Sequence, residues 1–274
     1  MSKRIAILGD LHYCLSSTFS EAVARDSYQF YYGILKSFFS IEADLHVALG
    51  DVTHNGTREE WQAFITLATA LTEPYKRNFS FVIGNHDTLN CSKKEIIDLT
   101  KQPLYSMTQS EDLLILMLDT TIESSPLNWG GCIESEQLKW IKSIDSQAAK
   151  VILAFGHHPF PNTTSGSHQP MMSLSDPQQL YLEVSKSNCP VIYVNGHNHV
   201  HSSFEDKGLW PNWTFIQAPS VLSNPSTILL EVSPTGQWRT STILIDDPLI
   251  HANAQCLRAN MDNHYYHPTM TAFY

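Results

Sequence analysis

The sequence predicts an α/β (α+β) protein in which two β-sheets lie face to face with helices outside them, a four-layer αββα sandwich. Three observations carry this expectation. Up to Gly196, short apolar runs alternate with stretches of helical periodicity, the order that parallel sheets with crossover helices require. After Gly196 the pattern changes to shorter alternating stretches with a period of two. Five apolar runs also stop abruptly in polar residues, at the strand ends where open α/β sheets place their ligands.

Taken in order, Lys3 to Gly9 reads as the first strand, apolar and short enough to be buried. Glu21 to Ile41 carries Tyr28, Tyr31, Tyr32, Leu35, Phe38 and Phe39 at helical spacing. Leu45 to Leu49 is the second strand. Thr57 caps the next helix, with Glu59 and Glu60 in its first turn, and that helix ends near Thr72 before Pro74. Phe79 to Ile83 is the third strand. Tyr105 to Thr108 and Leu113 to Leu118 form an antiparallel pair turning at Ser110 to Asp112.

Glu134 to Ser146 is an amphipathic helix, and Val151 to Phe155 is a further buried strand. The polar stretch from Pro161 to about Ser175 is long enough to wall a substrate or act as a lid. Asp176-Pro177 starts a helix with the proline in its first position. Val191 to Asn195 is a strand. His201 to Glu205, Trp213 to Gln217, Ile228 to Val232 and Trp238 to Ile245 then read as antiparallel strands of the second sheet. Residues 1–246 form one domain. Residues 247–274, with His251, His264 and His267, are a C-terminal extension that the pattern does not place.

Composition narrows the function classes. The chain has 274 residues, 42% of them hydrophobic, enough for one large core. No apolar stretch approaches the roughly 20 residues of a membrane span. The run behind Met1-Ser2-Lys3-Arg4 breaks at Asp10, too short for the core of a signal peptide, so a cytoplasmic location is expected. Five scattered cysteines (Cys14, Cys91, Cys132, Cys189, Cys256) suit packing in a reduced compartment rather than a disulfide framework or zinc finger. A net charge of −10 with dispersed Lys and Arg argues against nucleic acid as a partner. Thirteen histidines are more than packing requires.

The chemistry lies in the residues that end the strands: Asp10-Leu11-His12, Gly50-Asp51, Gly84-Asn85-His86-Asp87, Gly156-His157-His158-Pro159 and Gly196-His197-Asn198-His199. Any one of these is more often an ordinary turn than a ligand set. Five together, each at a strand end, supply Asp, His and Asn side chains that suit a two-metal centre with Mn, Fe or Zn. No thiolate belongs to the set, which argues against a structural zinc site.

This ordered set resembles the calcineurin-like metallophosphoesterase superfamily, and within it most resembles the class III cyclic-nucleotide and glycerophosphodiester phosphodiesterases. The resemblance spans positions 10 to 199, with every ligand position kept. A softer likeness extends to Leu118-Asp119-Thr120 and to Gln137-Leu138-Lys139-Trp140. The protein Ser/Thr phosphatase branch has Asp-Arg-Gly after its second motif. Here Gly50-Asp51-Val52-Thr53-His54-Asn55-Gly56 lacks that arginine.

The resemblance implies a metallophosphoesterase-type sandwich. Asp10, His12, Asp51 and His199 would hold one metal, and Asp51, Asn85, His157 and His197 the other, with Asp51 bridging. It implies His86 as the catalytic histidine and Asp87 as its orienter. Asn85, Asn198 and His158 are candidate substrate contacts, although Asn198 equally suits a turn and His158 a support behind a ligand. Tyr13, Trp129 and Phe160 either wall the cleft or pack. The implied reaction is hydrolysis of a small phosphodiester by a metal-bridging hydroxide. A phosphomonoesterase, a nucleotide-pyrophosphate hydrolase, or a binding protein on the same fold are the alternatives. Dimers are common among the resembling phosphodiesterases, so a homodimer is an open expectation.

Overall fold

A computed structural model describes residues 2–110, 112–123, 127–205 and 208–261. The first strands and helices alternate: β1 (Lys3–Leu8), α1 (Glu21–Ser40), β2 (Leu45–Leu49), α2 (Arg58–Thr72) and β3 (Phe79–Val82). Ser20 and Thr57 cap the two helices by accepting from the third backbone amide beyond them, as short hydroxyl side chains do at helix starts. β1, β2 and β3 pair in parallel, so all three run toward the same edge.

The second run is α3 (Lys93–Thr100), β4 (Ser106–Gln109), β5 (Leu113–Met117), α4 (Ser135–Lys142), β6 (Val151–Phe155), α5 (Gln178–Val184) and β7 (Val191–Asn195). β4 and β5 are the expected antiparallel pair, and β5, β6 and β7 are parallel. α3 is an element that hydrophobic periodicity did not announce. Its signature is a capping box in which Ser92 Oγ accepts from the Glu95 amide while the Glu95 carboxylate accepts from the Ser92 amide. α4 stops at Lys142, short of Ser146, because the Ser143 amide already closes on Trp140 O. Pro177 caps α5 from outside rather than occupying its first turn.

The last strands depart from expectation. β8 (Ser202–Glu205) and β9 (Trp213–Gln217) do join the second sheet, but β9 runs parallel to β7 and only β8 is antiparallel. β10 (Ser226–Val232) and β11 (Trp238–Leu244) return to the first sheet, where β10 lies antiparallel to β1 in the register Lys3↔Val232 to Ile7↔Ile228. Alternation sets which residues of a strand share a face. It does not say which sheet edge is open to receive the strand, and here the exposed side of β1 takes β10. The strand orders are β11-β10-β1-β2-β3 and β4-β5-β6-β7-β9-β8.

The period of two is visible in the cores. Ile5, Ile7, Val47, Leu49, Ile228 and Leu230 point inward against Leu153, Phe155, Ile192 and Val194 of the other sheet. Their neighbours Ala6, Leu8 and Ala48 point outward against Phe30, Ile34, Phe38, Trp61 and Phe64 of α1 and α2. A third cluster joins Ile152, Ala154 and Tyr193 to α4 and α5 through Ile141 and Leu180. Helix, sheet, sheet and helix are thus four layers with three apolar seams.

Residues 248–260 form α6 (Pro248–Asn260), capped by Asp247, with Ile250, Ala254 and Leu257 joining the α1 core. Gly33 of α1 permits this contact, since a Cβ there would lie 2.9 Å from Ile250 Cδ1. His264 and His267 lie outside the described residues. Among the described residues, no helix is long and apolar enough to cross a membrane. No disulfide joins the five cysteines.

Candidate metal centre

All five polar motifs sit beyond the C-terminal ends of parallel strands, at one edge of the sandwich. The loops after β1 and β2 do not separate there. His12 N donates to Asp51 O at 2.7 Å, Tyr13 N to Val52 O at 2.8 Å, and His54 N back to Tyr13 O at 3.0 Å. His12, Asp51, His197 and His199 all hold positive φ (48°, 44°, 73° and 61°). Such backbone costs an L-residue energy that the surrounding packing must supply, and it clusters at functional sites. Two glycines make room for Asp51 and its neighbour. A Cβ on Gly84 would fall 2.2 Å from Asp51 Oδ1, and one on Gly50 would fall 2.6 Å from His157 Nδ1.

The donor atoms converge in two overlapping sets. Around His157 Nε2 lie Asn85 Oδ1 at 3.1 Å, His197 Nδ1 at 3.1 Å and Asp51 Oδ2 at 3.4 Å. Around His12 Nε2 lie His199 Nε2 at 3.1 Å and Asp51 Oδ2 at 3.8 Å, with Asp10 Oδ1 3.8 Å from His199 Nε2. Two ligands each about 2.0–2.2 Å from a shared ion stand roughly 3.0–3.5 Å apart, so these spacings suit metal coordination. Asp10, His12, Asp51 and His199 each offer an atom within 4.8 Å of the others.

Hydrogen bonds outside the sets choose the ring nitrogens. His157 Nδ1 faces Leu49 O at 2.8 Å, and His197 Nε2 faces Met171 O at 3.1 Å. A carbonyl only accepts, so each of these nitrogens carries the proton and the other presents its lone pair inward.

The electrostatics ask for a cation. Burial pushes the Asp10 carboxyl up to about 7, and repulsion from Asp51 adds to this. Burial also opposes charge on Asp51, but His157 and His86 outweigh it and hold that carboxyl well below the usual range. Burial would lower His157, yet Asp51 and Asp10 raise it to about 9. His12, His197 and His199 are driven the other way, chiefly by burial, His199 to about 4. Asp10 Oδ2 is buried without a hydrogen-bond partner. The buried carboxylates draw a second proton onto His157 beside neutral His12, His197 and His199, and a divalent cation would supply that positive charge in the proton's place.

His86 stands beside both sets, with its amide on Asp51 Oδ1 at 2.9 Å and its Nδ1 on His54 O at 2.6 Å. Asp87 does not orient this ring as expected. Its carboxylate accepts from the amides of Val52, Thr53 and Gly84 and from Thr53 Oγ1, so it clamps the loops after β2 and β3 together. The ring is held by a main-chain carbonyl, a partner that no side-chain motif reveals.

His158 is placed as a support behind a ligand, the second of the two roles its position allows. It is fully buried, its Nε2 meets Trp129 O at 3.0 Å, and its Nδ1 meets Thr120 Oγ1 at 2.9 Å. Both nitrogens are therefore engaged, although the ring lies in a cluster with His157 and His197. Thr120 also accepts from the His157 and His158 amides, so one hydroxyl sets the whole turn. Asn198 is buried and donates to Ser165 O and Met172 O, holding the 161–175 loop, while its Oδ1 is buried without a hydrogen-bond partner. Tyr13 and Phe160 are core residues, packed on Tyr31 and on Trp210 and Trp213. Trp129 is half-buried, beside the His158 tie.

Sequence reasoning also missed Lys93. Its ammonium lies 2.7 Å from Asp119 Oδ2 and 3.3 Å from Glu134 Oε1 and binds Thr121 O. Thr121 Oγ1 in turn donates to Ile83 O, which ties the two sheets behind the Asn85-His86 loop.

Comparison with known proteins bears on the family and the fold. The family model described as calcineurin-like phosphoesterase matches residues 3–201. No curated protein sequence matches the chain. Among solved structures, a dimetal phosphatase from Danio rerio is similar with a TM-score of 0.64 at 13% identity, covering 88% of this chain and 98% of that one. A purple acid phosphatase from yellow lupin (Lupinus luteus) seeds has a TM-score of 0.55 at 13% identity, covering 91% of this chain and 55% of that one. At such identities the likeness establishes the fold.

Proposed function

The chain belongs to the calcineurin-like phosphoesterase family, and from that premise we propose a dinuclear metal-dependent hydrolase of a small phosphodiester. Asp10, His12, Asp51 and His199 would hold one ion, and Asp51, Asn85, His157 and His197 the other. The observation that carries the reading is the position of Asp51 Oδ2, within 3.8 Å of His12 Nε2 and 3.4 Å of His157 Nε2, where one carboxylate serves both sets.

When bound, such a pair of ions would supply Lewis acidity, easing deprotonation of an attacking water and offsetting the charge of the phosphoryl oxygens. The protein's own part is to place the donors and to move a proton. His86 has its Nδ1 proton fixed on His54 O, so as the doubly protonated imidazolium it would give its Nε2 proton to the departing oxygen and return to the neutral ring protonated on Nδ1. Tautomers locked from outside by Leu49 O and Met171 O spare the ligands any rearrangement on loading.

Preference for a diester is supported by charge. The donors that converge on the centre are carboxylates, imidazoles and one amide, and the chain carries a net charge of −10. Lys93, the buried ammonium behind the Asn85-His86 loop, is held by Asp119 and Glu134. A diester carries one negative charge where a monoester carries nearly two, so an acidic protein with its nearby ammonium already neutralised suits the diester better. The test is a parallel assay of metal-reconstituted protein on bis(p-nitrophenyl) phosphate and p-nitrophenyl phosphate with Mn, Fe and Zn. Faster turnover of the diester is expected, and preference for the monoester would replace this substrate class with phosphomonoesters.

A further inference from the structure

His54 belongs to neither of the two ligand sets, yet it touches two of the groups on which the reaction depends. It is buried, 2% exposed, and its amide is fixed on Tyr13 O by the extended pairing of the β1 and β2 loops. Its Nδ1 lies 3.4 Å from His12 Nδ1. Its carbonyl takes His86 Nδ1 at 2.6 Å, and its ring stacks on the His86 ring at 5.3 Å with 25° between planes.

The arrangement fixes protons. His12 turns Nε2 toward His199 and Asp51, so as a metal ligand it must carry its remaining proton on Nδ1. Set against that nitrogen is His54 Nδ1, which can accept only as an unprotonated nitrogen, placing the His54 proton on Nε2. We infer that His54 is a positioning residue that couples the two halves of the chemistry. Its ring nitrogen orients the ligand His12, and its main-chain oxygen orients His86. This rests on the proposed assignment of His12 as a ligand and His86 as the proton donor.

Side-chain substitution removes only the first of these contacts, because the carbonyl at position 54 remains. Two variants separate hydrogen bonding from packing. His54→Phe keeps a ring against His86 and removes the acceptor. His54→Asn removes the ring and keeps an acceptor, since the amide oxygen takes the place of Nδ1.

The experiment titrates metal-free wild-type, His54→Phe and His54→Asn proteins with zinc against a competing chelator, with melting curves of the metal-free proteins beside them. His54→Phe is expected to bind one of two zinc equivalents about 10- to 100-fold more weakly, the range for loss of a partner behind a metal ligand. The other equivalent should be unchanged, and His54→Asn should stay close to wild type. Tight binding of both equivalents by His54→Phe would overturn the inference. So would the reverse order, with Asn impaired and Phe unaffected, which means packing alone. Wild-type protein that takes up no zinc would remove the metal-centre reading itself, whereas wild-type loading beside any of the preceding failures faults only His54.

Discussion

The two sheets bring unlike chemistry to the same cleft. The β1–β3 edge supplies both carboxylates, Asp10 and Asp51, together with His12, Asn85 and His86. The β6–β7 edge supplies only imidazoles: His157, His197 and His199. Their supports differ as well. On the first edge the backbone continues strand-like pairing past the strand ends, with His12, Tyr13 and His54 bonded across to the neighbouring loop. The Asp87 carboxylate adds a side-chain clamp there. On the second edge side chains predominate beside a main-chain bond, Gly196 N on His157 O: Thr120 under both histidine amides, Tyr193 Oη on His158 O, and Asn198 on the 161–175 loop. Negative charge therefore sits on the edge whose loops pair main chain to main chain, and the imidazoles face it from the other.

This contrast can be broken most severely at Asp51. If one carboxylate serves both sets, Asp51→Asn should lower metal content from two equivalents toward none. Activity should fall beyond the roughly 100-fold that loss of a partner behind a ligand brings. His199→Asn on the other edge should lose one equivalent only. Metal analysis of the two purified variants decides this, and equal loss would mean that the edges do not differ.

The tie between the edges should fail next. Lys93→Met leaves the buried Asp119 without its cation, a change that costs about 3–5 kcal/mol when one partner of a buried pair is removed. Burial raises the Asp119 carboxyl despite Lys93, and the pull of Asp119 raises the lysine despite its own burial. Urea unfolding measures the loss. Unchanged stability would show that the sheets need no such clamp.

A smaller effect sharpens the chemical division. His86→Ala should keep both metals and slow kcat about 10²-fold or more, the scale of an acid–base group. A loss of metal instead would make His86 part of the ligand framework. The smallest effect is expected at His158, where burial pushes the imidazole down to about 3 and it stays neutral. His158→Leu should cost about 1–3 kcal/mol of stability by stranding Trp129 O and Thr120 Oγ1. KM should not change, and a raised KM would return His158 to the substrate contacts.

Much of this architecture is legible in the residues alone. Val151 to Phe155 followed by Gly-His-His-Pro can hardly be read otherwise than as a buried strand ending in a functional turn, and the fold places it so. What misleads are residues whose type fits several roles. Asp87 suits an orienter of His86 as well as it suits a clamp for four donors. β10 has the alternation of any sandwich strand, and nothing local states that it will lie beside β1. α3 escapes notice because Ser92 and Glu95, which start it, act as a reciprocal cap only once the helix has formed.

The sequence by itself determined the strands, the αββα layering and the inventory of Asp, His and Asn at their ends, because backbone period and side-chain type are properties of near neighbours. Tertiary structure alone decided which nitrogen of each histidine presents a lone pair, which histidines face the cleft and which merely brace it. His157 takes its tautomer from Leu49, 108 residues away, and His12 meets His199 across 187. A proton's position depends on the atom opposite it, and only the folded chain supplies that atom.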